Sequence, residues 1–247
     1  MLGGQSTGLP DTPNELSQLI EGYTQNRYPY YETAAKIFRL ESKEDVLYLK
    51  LIEGQESLNL KRESRILEWI NGRIPVPKLL YYSYVGGVEY QLTSEIKGTP
   101  TYKAKLNERA EAVNAMGKAL RMIHSLDPTG CPIDNRIDIR FAKAIEESKP
   151  FENLGERPDE TLVFTHGDYC LPNIITQNRK LSGVIDWDYG GLADAYIDIA
   201  ACAWSIGYNY GEKEAEEKWI PLLFESYGTE RDEEKYNYYG KLWQLDF

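Results

Sequence analysis

The chain has 247 residues, of which 42% are hydrophobic and 27% charged, a composition that excludes an intrinsically disordered protein and allows one large domain or two lobes. Asp and Glu outnumber Lys and Arg by 39 to 28. The resulting net charge of −11 disfavours nucleic acid and anionic membranes as partners and favours a cationic ligand, although the same acidity also suits a surface that simply remains in solution.

The cysteines and the N-terminus bear on the cellular compartment. Cys131, Cys170 and Cys202 do not have the spacing of metal ligands, and we interpret them as free thiols in a reducing compartment. No apolar run reaches the roughly 18 residues of a membrane helix, and Met1–Gln5 lacks the basic and apolar parts of a signal peptide. We therefore expect a cytoplasmic protein whose residues 1–12 form a flexible lead.

Hydrophobic periodicity in the first 95 residues predicts a small antiparallel sheet that carries one main helix. Apolar residues at a spacing of two indicate a pair of hairpins, whereas a spacing of three to four indicates helices. The predicted helices cover 15–22 and 58–71, and the predicted strands cover 36–40, 46–50, 79–83 and 88–93. We place the boundary of this first lobe at residue 95.

Glu63 interrupts the apolar stripe of the predicted second helix, which continues through Ile66, Leu67 and Ile70. A buried carboxylate without a partner costs several kcal/mol, so we expect a cation opposite Glu63. Lys50, at the end of the preceding strand, is the candidate. The alternative is that Glu63 lies at the edge of the stripe in water.

Residues 96–247 predict a mainly helical second lobe. Apolar spacing and stop signals indicate a sequence of helices, with three short apolar strands between the second and third of them. The helices are predicted at about 106–124, 139–148, 197–204, 213–226 and 232–245, and the strands at 162–164, 174–175 and 184–185.

Polar side chains follow these short strands at a spacing that suits phosphoryl transfer. Asp168 and Asn173 lie at the two ends of a short loop, and a turn at 178–180 can bring Asp186 back to the same place. Phosphoryl transfer needs one Asp that accepts a hydroxyl proton, together with an Asn and a second Asp that hold a metal ion.

The chain resembles the aminoglycoside phosphotransferases, particularly those that modify a 3′-hydroxyl. The resemblance covers nearly the whole chain and rests on Tyr48-Leu49-Lys50, Glu63, Ile74-Pro75-Val76-Pro77-Lys78, Ser94-Glu95, His166-Gly167-Asp168, Asn173, Asp186 and the run from Ala193 to Ala200. It implies an α+β, bilobal protein-kinase-like fold with a nucleotide-binding lobe at 1–95 and a catalytic, substrate-binding lobe at 96–247.

Carried over residue by residue, the resemblance implies that Asp168 is the catalytic base and that Asn173 and Asp186 are magnesium ligands. It implies that Lys50 holds the α- and β-phosphates of the nucleotide, with Glu63 as its partner. The implied cofactors are ATP or GTP with two Mg²⁺ ions, which prefer hard oxygen ligands.

The resemblance also assigns the remainder of the nucleotide site. It implies that Tyr48 stacks on adenine and that the linker from Ser94 to Ile96 hydrogen-bonds the edge of the base through backbone groups. Thr33 lies in the position of the phosphate-covering loop, which lacks the glycine-rich pattern of protein kinases.

Two residues are implied to support the catalytic loop without transferring protons. Asp198 resembles a buried aspartate that braces the loop, and His166 resembles a supporting residue beside it.

The acceptor is where the resemblance weakens. Candidate substrate contacts are Asp188, Tyr189, Asp246 and Phe247, and Tyr169 and Trp187 lie among the motif residues where we expect specificity to be determined. The acidic segment around Glu146, Glu147, Glu152 and Glu156 is short for the family, and a single side-chain carboxylate precedes the final aromatic residue.

Three interpretations of the function stay open. An aminoglycoside is the first acceptor, a choline-like hydroxylated cation is the second, and a non-catalytic nucleotide-binding protein is the third class. The sequence leaves the oligomeric state open.

Overall fold

We describe a computed structural model of the chain over residues 9, 11–27, 35–54, 60–142 and 154–243. Among these residues the chain divides into two compact units. The first contains the described residues of Met1–Glu68 and Pro77–Glu95, and the second contains those of Trp69–Val76 and Ile96–Phe247. No helix in the described ranges combines the length and the apolar character that crossing a membrane requires.

The first unit is built on a five-stranded antiparallel sheet with two helices. The elements are α1 Asn14–Leu19, β1 Thr24–Arg27, β2 Ala35–Glu41, β3 Val46–Glu53, α2 Leu60–Ile70, β4 Leu79–Val85 and β5 Val88–Ser94. The strand order is β1-β2-β3-β5-β4. Alternate residues of β2 and β3, among them Phe38, Leu40, Leu47 and Leu49, are buried on one face, where Leu16 of helix α1 packs. The two predicted hairpins are confirmed. The edge strand β1 is an addition to the prediction, because its four residues are polar and exposed and show no apolar alternation.

Helix α2 confirms the predicted stripe, since Ile66, Leu67 and Ile70 are buried and Glu63 is only 3% exposed. The chain leaves the helix through Gly72, which has a positive φ of 75°. The segment Trp69–Val76 belongs to the second unit, so the division of the chain differs from the single boundary expected at residue 95. Contacts within that unit explain this: the Pro75 carbonyl accepts a hydrogen bond from Val184 N–H at 3.0 Å, and the Trp69 ring lies 4.7 Å from that of Phe164.

Helices dominate the second unit, as predicted. The helices are α3 Arg109–His124, α4 Ile137–Arg140, α5 Tyr196–Tyr210, α6 Glu212–Glu214, α7 Ile220–Tyr227 and α8 Glu233–Trp243. The long helix α3 packs on α7 across Gly117, where the two backbones approach closely.

The single helix predicted at 213–226 is wrong in detail, because a π-helical segment, Ala215–Trp219, separates α6 from α7. Pro221 explains the break. A proline has no N–H with which to close the α-helical bond to the carbonyl four residues earlier, so the turn before it widens.

Two small sheets position the loops of the motif. Strand β7 Leu162–Thr165 pairs with β10 Gly191–Asp194, and β6 Thr99–Pro100, β8 Ile174–Gln177 and β9 Lys180–Val184 form the other sheet. The predicted turn between β8 and β9 is confirmed, with positive φ at Asn178 and Arg179. Strands β6 and β10 are additions to the predicted strands, because β6 has only two residues and β10 begins at Gly191, the second of two consecutive glycines, a residue type that favours turns.

Two helical glycines give matched tests of this packing. A Cβ at Gly117 would lie 2.6 Å from Ser226 Cβ and 2.8 Å from the Leu223 carbonyl oxygen, whereas one at Gly240 meets nothing within 4 Å. We expect Gly117→Ala to lower the free energy of unfolding by about 1–3 kcal/mol through overpacking. Gly240→Ala should raise it by up to about 1 kcal/mol through helix propensity. Urea unfolding of both variants measures the difference, and a Gly117→Ala variant as stable as Gly240→Ala would contradict the packing described.

Candidate active site

A buried carboxylate holds the loop between β7 and β8, residues 166–173, which carries Asp168 and Asn173. Asp198, in the first turn of α5, is fully buried and accepts hydrogen bonds from the backbone N–H groups of His166 at 2.7 Å and Gly167 at 2.6 Å. Burial alone would raise the pKa of the Asp198 carboxyl, but the hydrogen bond from His124 and the other donors lower that pKa below its usual value. Asp198 is therefore an anionic support for the backbone of the loop.

His124 holds Asp198 in place, a role that its position in the sequence does not predict. Its Nε2 donates to Asp198 at 3.0 Å, and its Nδ1 lies 2.9 Å from the hydroxyl of Tyr227. Burial raises the pKa of Tyr227 to about 12, so the hydroxyl stays protonated and can donate to Nδ1. The only indication of this role in the sequence is that a histidine ends a helix whose other buried positions are mostly apolar.

The ring of His166 supports the loop and is not available as a base. It is fully buried, its Nε2 donates to the carbonyl of Ile185 at 2.9 Å, and its Nδ1 accepts from the N–H of Asp168 at 3.2 Å. Both ring nitrogens are therefore occupied by backbone groups. One of these bonds connects the loop to the end of β9.

Gly167 allows the chain after β9 to lie against the loop. Its φ is +83°, and a Cβ at this position would collide with the carbonyl oxygen of Tyr189. The same carbonyl accepts a hydrogen bond from the Nδ2 of Asn135. The loop and the segment carrying Asp186 to Tyr189 are thus packed backbone to backbone, which any side chain at residue 167 would prevent.

Asp168 and Asn173 are brought together as the motif predicted. Asn173 Nδ2 donates to the backbone carbonyl of Asp168 at 3.0 Å and to its Oδ2 at 3.1 Å. The amide group is thereby oriented with its nitrogen toward Asp168, so Oδ1 is the Asn173 atom suited to an ion. Asp168 is half-buried, and its Oδ1 is the carboxylate oxygen that Asn173 does not contact.

The β8–β9 hairpin places Asp186 at the same end as Asn173. Asn173 directly precedes β8, Asp186 follows β9 by two residues, and Ile185 N–H donates to the Asn173 carbonyl at 2.9 Å. Asp186 itself has a φ of +68°, an unusual conformation for a residue with a side chain and one that often accompanies function.

The donor set here suits a hard cation shared with a ligand better than a site formed by the protein alone. In the described ranges, no three His, Cys, Asp or Glu side chains are grouped as metal ligands. One carboxylate and one amide oxygen leave most coordination positions of Mg²⁺ to water and phosphate oxygens, as that ion commonly prefers. Asn173 and Asp186 therefore fit the predicted role.

The residues predicted to determine acceptor specificity separate into two pairs. Tyr169 and Trp187 are fully buried, Tyr169 donating to the Met116 carbonyl at 3.0 Å and Trp187 to the Val184 carbonyl at 2.9 Å. The expectation that these two rings determine specificity is wrong, because they belong to the core.

Asp188 and Tyr189 are half-buried beside the loop. Burial raises the pKa of Tyr189, and the negative charges of Asp188, Asp168 and Asp186 act in the same direction. The guanidinium of Arg140 lies over the Tyr189 ring, 5.0 Å from its centroid. Tyr189 therefore lies in the electrostatic field of all three aspartates.

In the first unit, Lys50 and Glu63 form the predicted ion pair. Lys50 Nζ lies 2.9 Å from Oε2 and 3.1 Å from Oε1 of Glu63, whose side chain is almost fully buried. The alternative in which Glu63 lies in water is excluded. The register explains the contact, since Lys50 is in the central strand β3, paired with Ile37 of β2 and Gln91 of β5.

Tyr48 and Ser94 lie near each other on the same sheet. Tyr48 pairs with Thr93 across β3 and β5, and the adjacent Ser94 exchanges hydrogen bonds with Lys78 through its backbone N–H and its Oγ. Ile96 begins the next stretch of the second unit. The sites predicted at Thr33, Asp246 and Phe247, like the acids at 146, 147 and 152, lie outside the described residues.

Comparisons with known proteins identify the family of the chain. The model of the phosphotransferase enzyme family matches residues 32–239. The aminoglycoside 3′-phosphotransferase of Enterococcus faecalis is 31% identical, over 94% of this chain and 97% of its own length, and that of Niallia circulans is 34% identical, over 79% and 82%.

Solved structures show the same fold. An aminoglycoside 3′-phosphotransferase of type VIII superposes with a TM-score of 0.75 at 22% identity, covering 92% of this chain and 95% of that one. An aminoglycoside phosphotransferase of Streptomyces rimosus, in complex with ADP and streptomycin, gives a TM-score of 0.73 at 22% identity, covering 92% and 94%. The predicted kinase-like fold is confirmed, and the chain belongs to the phosphotransferase enzyme family.

Proposed function

We propose that the chain transfers the γ-phosphoryl group of a nucleoside triphosphate to a hydroxyl of an aminoglycoside antibiotic. The observation that carries the proposal is the contact between Asp168 and Asn173, in a loop held by the buried Asp198. The two relatives that share about a third of their residues with this chain, both aminoglycoside 3′-phosphotransferases, support the choice of acceptor.

Asp168 would orient the acceptor hydroxyl and accept its proton. Asn173 holds Oδ2 of the carboxylate, so the hydroxyl would approach Oδ1. Positioning and electrostatics supply most of the catalysis in phosphoryl transfer, and a carboxylate held by a neighbouring amide loses little entropy when the acceptor binds.

Asn173 Oδ1 and Asp186 would hold magnesium, which neutralises the negative charge of the nucleotide phosphates when it is bound. In the first unit Lys50, oriented by Glu63, would contact the α- and β-phosphates. Tyr48, Ser94 and Ile96 would contact the base, and Thr33 the phosphates. We accordingly assign nucleotide binding to residues 1–95, with Ile96 directly after them, and catalysis to the lobe formed by residues 96–247.

The net charge of −11 suits a polycationic acceptor, and we place Asp188, Tyr189, Asp246 and Phe247 in the acceptor site. Initial rates with kanamycin, neomycin, streptomycin and choline, each with MgATP or MgGTP, separate the acceptor classes through release of the nucleoside diphosphate. Turnover of choline alone would favour the second class, and failure to bind either nucleotide would favour a non-catalytic protein.

Asp168→Asn tests the role of the base. The asparagine keeps the shape of the side chain but cannot accept the hydroxyl proton, so kcat should fall by about 10²- to 10⁴-fold. Nucleotide affinity should change little, because Asp168 is assigned to the acceptor. The matched control is Asp159→Asn, an exposed aspartate of the same unit. Turnover of Asp168→Asn within a few-fold of wild type would contradict the assignment.

Lys50→Met tests the phosphate contact. A charge-assisted hydrogen bond contributes about 1.5–3 kcal/mol, so KM for the nucleotide should rise by about tenfold or more. The double variant Lys50→Met/Glu63→Gln, which leaves no unpaired buried carboxylate, should show the same loss with less destabilisation. Lys36→Met is the control, because Lys36 forms an exposed ion pair with Glu53 on the same sheet. An equal rise in KM in both single variants would argue against a specific contact.

A further inference from the structure

A groove of about 530 Å³ lies between helix α3 and the β8–β9 hairpin in the second unit, and we call it the hairpin groove. On α3 its lining residues recur every one to three positions from Glu111 to Met122, and on the hairpin they are Arg179, Lys180 and Leu181. Eleven residues of helix span about 16 Å, so the groove is elongated. Its volume lies within the range of small-molecule sites in proteins.

The floor of the hairpin groove is apolar. Ala115 and Ala119 lie one helical turn apart on α3, and their small side chains leave space beside the hairpin. Met122 and Leu181 extend the same apolar lining. An alkyl chain placed along this floor would lose contact with water, which is favourable.

The charged residues of the hairpin groove are mainly cations. Lys118, Arg179 and Lys180 line it together with a single acid, Glu111, whose Oε1 lies 3.0 Å from Arg179 Nη1. Lys118 and Lys180 are exposed, and neither forms an ion pair within the described part of the chain. The groove therefore has a positive charge in a chain whose net charge is −11, and it favours an anion.

We propose that the hairpin groove binds an amphipathic anion of the fatty-acid class. The alkyl chain would lie along Ala115, Ala119 and Leu181, with the carboxylate at Lys118 and Lys180. The net charge of −11 disfavours an anionic membrane surface as the source of this ligand, so the proposed ligand is a free amphiphile. None of these residues is assigned to the nucleotide or to the acceptor, so the proposal is independent of the proposed function.

Helix α3 separates the hairpin groove from the core of the second unit. Val113, Met116 and Leu120 are fully buried. At about 100° per residue around the helix axis, these three residues lie on the face opposite Ala115 and Lys118. The groove is thus an outer surface of the helix, and its ligand should bind without displacing a nucleotide.

The test is titration calorimetry of the full chain with decanoate, below its micellar concentration and without nucleotide, and with decan-1-ol as the neutral molecule of the same chain length. Decanoate should bind about fivefold or more tightly than decan-1-ol. Lys118→Met and Lys180→Met should each weaken decanoate binding by about two- to fivefold, as expected for exposed ion pairs, and by less at high salt. Lys241→Met, which removes an exposed lysine of the same unit, is the matched control and should leave the affinity unchanged.

Ala115→Leu should abolish decanoate binding by filling the hairpin groove. The double variant Lys118→Met/Lys180→Met changes only exposed side chains, so it tests the site even where Ala115→Leu unfolds the protein. Three results would overturn the proposal: decanoate affinity at the wild-type value in the double variant, decan-1-ol binding as tightly as decanoate, or displacement of decanoate by MgATP. Flotation of the chain with phosphatidylglycerol vesicles, without binding of monomeric decanoate, would also overturn it.

Discussion

The second unit depends on one buried anion. Asp198 lies in an apolar helix, where an isolated carboxylate would be strongly destabilising, and it is tolerated because consecutive backbone N–H groups and His124 donate to it. Those same N–H groups belong to His166 and Gly167, immediately before Asp168. The cost of burying the charge is therefore offset by the contacts that determine the path of the loop that carries Asp168.

A second constraint follows from that loop. With its backbone held by α5, the loop can accept the chain after β9 only if residue 167 has no side chain, since the carbonyl of Tyr189 occupies that space. The ring of His166 then connects the loop to Ile185. Neighbouring residues thus have different places in the structure: His166 and Gly167 hold the backbone of the loop, while the polar side chains of Asp168 and Asn173 contact each other.

Much of the site could be predicted from the sequence because its residues break a simple pattern. Glu63 stands out as a carboxylate on an apolar stripe, and burial of that stripe requires a cation, which Lys50 supplies. Asp168, Asn173 and Asp186 stand out because each follows or precedes a short apolar strand, and a hairpin brings the ends of such strands together.

The rest depends on contacts that no local pattern contains. Tyr169 and Trp187 interleave with the motif residues, yet both rings are buried in the core, and each lies within two residues of a position with positive φ, Gly167 or Asp186. His124 joins the site from a helix 74 residues away in the chain from Asp198. Strand β1 is polar throughout and forms only because β2 offers it an edge.

Asp198→Asn tests the role of this buried carboxylate most directly, with kcat and the free energy of unfolding as the two measured quantities. An asparagine has a single side-chain oxygen to accept what the two carboxylate oxygens accept from His166, Gly167 and His124. The free energy of unfolding should fall by about 1–3 kcal/mol for each buried donor left unsatisfied. We also expect kcat to fall by tenfold or more, while KM for the nucleotide stays close to that of the wild type. A variant that keeps both the stability and the kcat of the wild-type protein would contradict the claim that this buried carboxylate holds the loop carrying Asp168 in place.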